Sequence, residues 1–440
     1  MTRTWLGAVL ISAIAFTVSA AALPAKQRMV VVISLDGFPA YTLQDPKLPV
    51  PTLRRLAETG STAKRMIPIN PTVTWPNHTA MVTGVQSPEH GLLYNGTLVR
   101  TGGWPPVKIE PWIDKEKMVH AVTVYDVASQ HGLTTAEVDW VAINNAQTIN
   151  WHFPERATPD GSLEREMIGR GALKRSDVDD FNKDNIVWRD EIWAKAATYL
   201  IREHKPNLLL VHFLTLDSIQ HHYGPKTLAS EAAMAFLDSR VKEILDAIKA
   251  SGLADRTTVF IVSDHGFKAF HKQVRLSIAL ASAGLGRDAY VVPEGGSAMI
   301  YVDRKHTAEL VPKVRQALQG IEGIERIAAR EDFPSLGLPD PQKDPQMADL
   351  VLFAKSDYTF SHPAADGGPV VVTAAQQGGS HGYLASDPDM DAIFIASGYG
   401  IRRGVTLDEI PNLDVAPTLA NLLGVKLPKI QGQVLRQILQ

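Results

Sequence analysis

The stretch Asn207-Leu208-Leu209-Leu210-Val211-His212-Phe213-Leu214-Thr215-Leu216-Asp217-Ser218-Ile219-Gln220-His221 joins an apolar run to an Asp, with a His one helical turn beyond. A continuous apolar run of this length reads as a strand buried on both faces, the habit of parallel sheets. The same grammar recurs along the chain. Met29 to Leu35 ends at Asp36-Gly37, and Thr257 to Val262 ends at Ser263-Asp264-His265-Gly266. Ala392 to Ala396 is a further apolar run. Helical patterns lie between these runs: Pro51 to Glu58, Ile192 to Glu203, Leu228 to Ala250 and Asp414 to Leu423, the last interrupted near its start by Pro417. In Leu228 to Ala250 the residues Phe236, Leu237, Val241, Ile244, Leu245 and Ile248 form an apolar stripe at helical spacing, a core-facing surface. Alternating strands and helices predict an α/β three-layer sandwich with a central, mostly parallel sheet. Sites in such folds lie at the carboxyl ends of strands, which is where these Asp residues stand.

Two stretches break the rhythm. Residues about 100–190 are rich in Trp, Pro and polar residues and read as a cap inserted over the site. Residues about 285–375 hold the strand-like Ser297 to Val302, the helix Ala308 to Leu318 and the loop Pro334 to Gln346, and read as a second insertion. The remainder, 27–440, reads as one catalytic domain.

Composition narrows the function classes. The chain has 440 residues, 21% of them charged, with a formal net charge of -3 and no basic tract, so a nucleic-acid polymer is not an expected partner. A small phosphate ester is compatible with that balance. Arg3, the apolar or small run Trp5 to Val18 and the small residues Ala20-Ala21-Ala22 read as a signal peptide over residues 1–22. The run is shorter than the roughly 20 residues of a membrane span. The mature protein is therefore expected to be exported and free of the membrane. There is no cysteine, which rules out disulfides and thiolate ligands and points to a bacterial periplasm or secretion. Any metal must be held by His and carboxylates.

Asp217 and His221, at i and i+4, share a face if the segment turns helically. Asp264 and His265, at a turn before Gly266, are placed to straddle one ion or face two. His381 lies in Gly379-Ser380-His381-Gly382, where glycine on both sides allows a close backbone approach. Three Asp and three His in such places are ligands of the kind a pair of divalent ions needs. In Pro71-Thr72-Val73-Thr74-Trp75-Pro76-Asn77-His78, Pro76 marks a helix start and puts Thr74 at or near the N-cap. Free N–H groups and the helix dipole favour an anion there. Thr74 is either an ordinary cap or a nucleophile; a nearby metal ion would lower its hydroxyl pKa enough for the second. Trp75 is either a stacking platform or core packing. Asn95 is either a phosphoryl ligand or a turn residue before Gly96.

Taken in order, Asp36-Gly37, Thr74-Trp75-Pro76-Asn77-His78, His90-Gly91-Leu92-Leu93-Tyr94-Asn95, Asp217 to His221 with Gly224-Pro225, Ser263-Asp264-His265-Gly266 and Gly379-Ser380-His381-Gly382-Tyr383 resemble the alkaline phosphatase superfamily. Within it the chain is most similar to the nucleotide pyrophosphatase/phosphodiesterase family, over roughly residues 29–100 and 205–425. The resemblance implies an alkaline-phosphatase-like fold and two divalent ions, most simply Zn2+. Asp36, Asp264 and His265, with the Thr74 hydroxyl, would hold one; Asp217, His221 and His381 would hold the other. Thr74 would form a covalent phospho-threonine, Asn95 would donate its amide to a phosphoryl oxygen, and Trp75 would carry a nucleobase. His/Asp sites also accept Mn, Co or Fe. His78, His90 and His222 lie beside the motifs and read as supporting or structural.

The chain departs from its relatives in two places. Family diesterases usually carry a Phe-Trp-Pro-Gly-Ser-like segment where this chain has Thr135 to Asn145, including Asp139-Trp140. The segment before the metal Asp is usually Tyr- and Glu/Pro-containing, and here reads His212 to Asp217. Thr-type monoesterases of the superfamily grip a dianion with a Lys and an Arg from the insertion, and Asp139 to Trp151 contains neither. The expected substrate is thus a phosphodiester or nucleotide pyrophosphate, with Lys183 and Arg189 left as residues that could still reach the site. A phosphomonoesterase or phosphonate hydrolase is the alternative. An inactive binding homologue is a further one, opposed by the complete ligand set.

Overall fold

The computed structural model describes residues 23–361 and 367–440; the expected signal segment 1–22 lies outside them. The central sheet has eight strands. Across it run Val405–Pro411, Ser61–Ile67, Ala392–Gly398, Thr257–Val262, Met29–Leu35, Leu208–Phe213, Thr135–Val138 and Trp151–Phe153. Ala392–Gly398 is antiparallel to both its neighbours, and the other pairings in the sheet are parallel. All seven residues of Met29–Leu35 are buried, because neighbouring strands flank it and helices cover both faces.

The period-2 alternation of strand side chains sorts the core into two clusters. Val31, Ile33 and Leu35 face the helices Pro51–Thr59, Ile186–Tyr199 and Leu228–Ala250, meeting Leu53, Trp193, Leu237 and Ile244. Val30 and Val32 face the other way, toward Met81 of Thr74–Thr83, Tyr125 of Val124–Gln130 and Leu419 of Val415–Leu423. This is the three-layer sandwich expected from the sequence. No helix among the described residues is long and apolar enough to cross a membrane.

The insertion boundaries are redrawn. Thr135–Val138 and Trp151–Phe153 belong to the central sheet, so the 100–190 stretch is partly sandwich and only partly cap. These strands are four and three residues long, too short for a periodicity to register. The helix expected over Ile192 to Glu203 begins earlier, at Ile186, started by Asn185, whose side chain accepts from Val187 N–H at 2.8 Å, and continues past Tyr199 as the π-helical segment Leu200–His204. The second insertion is a lobe with its own apolar core. Ala289–Glu294, Ser297–Val302, Leu350–Ala354 and Ile324–Ala328 form an antiparallel sheet, and Thr307–Leu318 packs on it. A smaller sheet of Asp357–Phe360, Lys268–Val274 and Val371–Ser380 links the lobe to the sandwich. The lobe therefore spans more than 285–375 and delivers His381 at the end of its last strand.

Candidate active site

The carboxyl ends of the parallel strands meet along one edge of the sheet. Asp36 follows Met29–Leu35 and donates its N–H to Phe213 O at 2.9 Å. Asp264 and His265 follow Thr257–Val262. Asp217 sits in the first turn of the helix Thr215–Tyr223, with His221 one turn later and its Nε2 3.4 Å from Asp217 Oδ1. Asp190 fixes the start of that helix by accepting from Leu214 N–H at 3.0 Å and Thr215 N–H at 2.9 Å. Thr74 is the first residue of the buried helix Thr74–Thr83, two residues before the expected start, with extended Val73 as its cap.

Each of the three histidines expected to ligate is oriented the same way. His265 Nδ1 faces Gly266 O at 3.0 Å, His381 Nδ1 faces Thr72 O at 2.9 Å, and His221 Nδ1 faces Gly379 O at 3.2 Å. A carbonyl at Nδ1 places the proton there and leaves Nε2 with a free lone pair, the form that ligates a metal. The free atoms converge. Asp36, Asp264 and His265 offer ligand atoms within 4.8 Å of one another, as expected, and so do Asp217, His265 and His381, with His265 where His221 was expected; His221 is in neither set, its Nε2 lying 3.4 Å from Asp217 Oδ1. Asp36 Oδ1, Asp217 Oδ1, Asp264 Oδ2 and His265 Nε2 are buried with no hydrogen-bond partner. Orphaned acceptors of this kind are rare in folded proteins, and a cation would satisfy all four. The Asp/His donor set suits a divalent ion.

Electrostatics tell the same story. Burial, then Asp264 and Asp217, push the Asp36 carboxyl well above the usual range, against His212. Burial lowers His265 to about 4. Burial, then His265 and His221, lower His381 to about 3, so both rings are neutral at neutral pH. Burial would raise Asp217, but His221, His381 and His265 hold it below the ordinary value.

Gly382 fills a different role from the one its sequence context indicated. At φ +87, a Cβ there would lie 1.9 Å from Glu294 O, so its close approach is to the lobe backbone rather than to a ligand. Asn95 accepts from Trp75 N–H through Oδ1 at 3.0 Å, which takes one of the free amides at the helix start. Trp75 is 7% exposed and packs with Leu92, Met118, Val119 and Val141, its edge on Trp112 at 6.1 Å. It still forms part of the wall of a cavity of about 200 Å³, shared with Trp112, Trp140, Asn144 and Glu137. Arg156 stacks 3.9 Å over Trp112.

The histidines beside the motifs separate. His78 Nδ1 faces Thr74 O at 2.9 Å and lies 3.6 Å from Asp264 Oδ2, beneath the site. His90 accepts from Leu92 N–H at 3.2 Å, buried beside His120. His222 is exposed, bonded to Ser218 O. Lys183 pairs with Asp180 in solvent at 2.9 Å, and Arg189 donates to Glu155 O at 3.1 Å while stacking on Trp193. Two residues without an assigned role in the sequence stand against the site: His212, whose Nε2 is hydrogen-bonded to Asp36 Oδ2 at 3.0 Å, and Asp139 behind it. A His inside the apolar run Leu208–Phe213, and an Asp closing Thr135–Val138, were the signals available.

Comparison with known proteins agrees with this geometry. The family model described as type I phosphodiesterase / nucleotide pyrophosphatase matches residues 30–384. Mouse ectonucleotide pyrophosphatase/phosphodiesterase family member 7 is 23% identical, covering 94% of this chain and 89% of that protein. The bovine bis(5'-adenosyl)-triphosphatase ENPP4 is 22% identical, covering 93% and 80%. The solved structure of murine ectonucleotide pyrophosphatase/phosphodiesterase 5 superposes with a TM-score of 0.73 at 18% identity, covering 94% of this chain and all of that one. The chain belongs to the type I phosphodiesterase / nucleotide pyrophosphatase family of phosphoric ester hydrolases, within the alkaline phosphatase superfamily.

Proposed function

We propose that the protein hydrolyses phosphodiester or nucleotide pyrophosphate bonds through a covalent phospho-threonine on Thr74, with two divalent ions, zinc foremost, as cofactors. The observation that carries this reading is the convergence of orphaned buried ligand atoms at the strand ends. Asp36, Asp264 and His265 would hold one ion with the Thr74 hydroxyl, and Asp217, His221 and His381 the other. Bound there, the ions would supply Lewis acidity to the attacking and leaving oxygens of an in-line displacement.

The chain's own residues do the rest. Thr74 Oγ1 attacks phosphorus, the bond to the leaving oxygen breaks, and the hydroxyl proton is released. Water then attacks the phospho-threonine and returns the Thr74 hydroxyl. Asn95, pinned by Trp75 N–H, directs Nδ2 at a non-bridging oxygen, where a neutral donor suits dispersed charge. The backbone ties Thr74 to both ligand groups. Thr72 O holds His381, and Thr74 O faces His78 beside Asp264. The engagement of Lys183 and Arg189 elsewhere supports a diester or pyrophosphate over a dianionic monoester. Trp75 and Trp112 border a cavity suited to the planar part of such a substrate. Export to a bacterial periplasm is part of this reading and rests on the composition and the N-terminal sequence.

The test is turnover of a nitrophenyl nucleotide diester, a nitrophenyl monoester and phosphonoacetate by zinc-loaded protein, with and without a chelator. The diester is expected to be the fastest, with activity lost to the chelator and restored by zinc. Preference for the monoester or phosphonoacetate would transfer the protein to the alternative class. No turnover of any of them would remove hydrolysis of these classes.

A further inference from the structure

We infer that His212 and Asp139 form a positioning pair that holds the Asp36 carboxylate in its metal-ligating orientation and couples it to the loop lining the Trp75–Trp112 cavity. This rests on the reading of Asp36 as a metal ligand. Both residues sit where the chain departs from its relatives, and the fold brings the two departures into contact. His212 is 2% exposed, Asp139 1% and Asp36 0%. His212 Nε2 lies 3.0 Å from Asp36 Oδ2, while its Nδ1 lies 3.1 Å from both the Asp139 backbone O and Asp139 Oδ2. The Nδ1 hydrogen bond goes to the Asp139 carbonyl, and the Asp139 carboxylate stands beside it without a hydrogen-bond partner, so the ring spans from the backbone at Asp139 to the carboxylate of Asp36.

The bridge selects which oxygen of Asp36 is free. Oδ2 is engaged by His212, and Oδ1 is left without a partner 3.6 Å from His265 Nε2. The ring cannot turn away, because His78 packs edge-on against it at 4.5 Å and Trp140 packs in turn against His78 at 4.9 Å. Asp139 is itself held in an unusual conformation, at φ 57, and Ala142 and Asn145 in the same loop stand at φ 55 and 54. Non-glycine residues in this region cost free energy and persist where the surroundings over-determine them. Here Glu137 supplies the second anchor, accepting from Trp140 N–H at 2.9 Å and facing His152 Nδ1 at 3.2 Å. The loop between these anchors forms one wall of the cavity of about 200 Å³.

The test uses the full protein with zinc alone as the probe. Zinc stoichiometry and affinity are measured by competition with a chromophoric chelator for wild type, His212→Asn, His212→Gln and Asp139→Asn. Unfolding midpoints are recorded with and without zinc. Loss of a residue supporting a ligand weakens metal binding roughly 10- to 100-fold. His212→Asn is expected to show that loss for one ion and leave the second unchanged. His212→Gln, which keeps a donor toward Asp36, is expected to restore most of the affinity, and Asp139→Asn to fall between. The increment in midpoint that zinc confers should shrink in the same order. Wild-type affinity for both ions in His212→Asn, with midpoints lowered equally in the presence and absence of zinc, would overturn the positioning role and leave a structural one. If His212→Asn does not fold, the same criteria applied to His212→Gln and Asp139→Asn decide. Failure of wild type to bind two ions would instead overturn the reading of the site itself.

Discussion

The two proposed ligand groups differ in how the fold holds them. Asp36, Asp264 and His265 are each fully buried at the ends of central strands. Their second atoms are fixed from within the sandwich: Gly37 N–H donates to Asp264 Oδ1 at 3.2 Å and His212 to Asp36 Oδ2. Asp217, His221 and His381 stand at the rim, their side chains 13%, 39% and 9% exposed. One helix and the lobe's last strand supply them. The first set is buried throughout, whereas the second combines the buried His381 with the more open Asp217 and His221.

Four experiments act on that contrast. The largest effect belongs to Thr74→Ala, which removes the proposed nucleophile. Turnover of the nucleotide diester should fall by roughly three orders of magnitude or more. Bound zinc should stay near two per chain by elemental analysis. Retained turnover would break the assignment. Next, Asn95→Ala should lower kcat roughly 100- to 1,000-fold by removing a single oxyanion donor. Metal content should be unaffected, because Asn95 bonds Trp75 and no ligand of either group; a fall confined to KM would assign it to binding alone.

The third experiment sets the groups against each other. His221→Ala should weaken one ion by more than the roughly 10- to 100-fold typical of losing a supporting residue. Its fold and unfolding midpoint without zinc should be close to wild type, and excess zinc should restore activity. Asp264→Asn should lose its ion without rescue by excess zinc. Equal rescue of both variants would erase the distinction between buried and rim groups.

The smallest effect comes from a buried histidine outside both groups. Burial, then His120, lowers His90 to about 3, against about 6.5 in an unfolded chain. Between these values the unfolded state carries the extra proton, so this contribution to stability falls as pH drops through about 6.5. His90→Gln should therefore show a shallower loss of unfolding free energy from pH 7 to pH 5 in urea titrations. Parallel curves for the two proteins would show that His90 is charged in the fold.

Much of this is legible in the sequence. Met29–Leu35, Thr257–Val262 and Leu228–Ala250 stand where the sequence put them, because strands buried on both faces and long one-sided helices leave complete hydrophobic patterns. The Asp residues closing those strands were legible for the same reason. Ser61–Ile67, with alternating burial and a charged Lys64-Arg65 centre, did not announce itself. Thr135–Val138 and Trp151–Phe153 were absorbed into a supposed insertion because they are short.

By itself, then, the sequence determined the sandwich, the mostly parallel sheet and the kinds of ligand available, since these follow from local pattern and from the absence of cysteine. Only the tertiary structure decided which Nε2 atoms are free, which carboxylate oxygens are orphaned, and that Trp75 is largely packed. It alone joined His212 to Asp139, 73 positions apart. Such pairings depend on the register of the parallel strands Thr135–Val138 and Leu208–Phe213, and a register between distant strands leaves no mark in the local pattern of either.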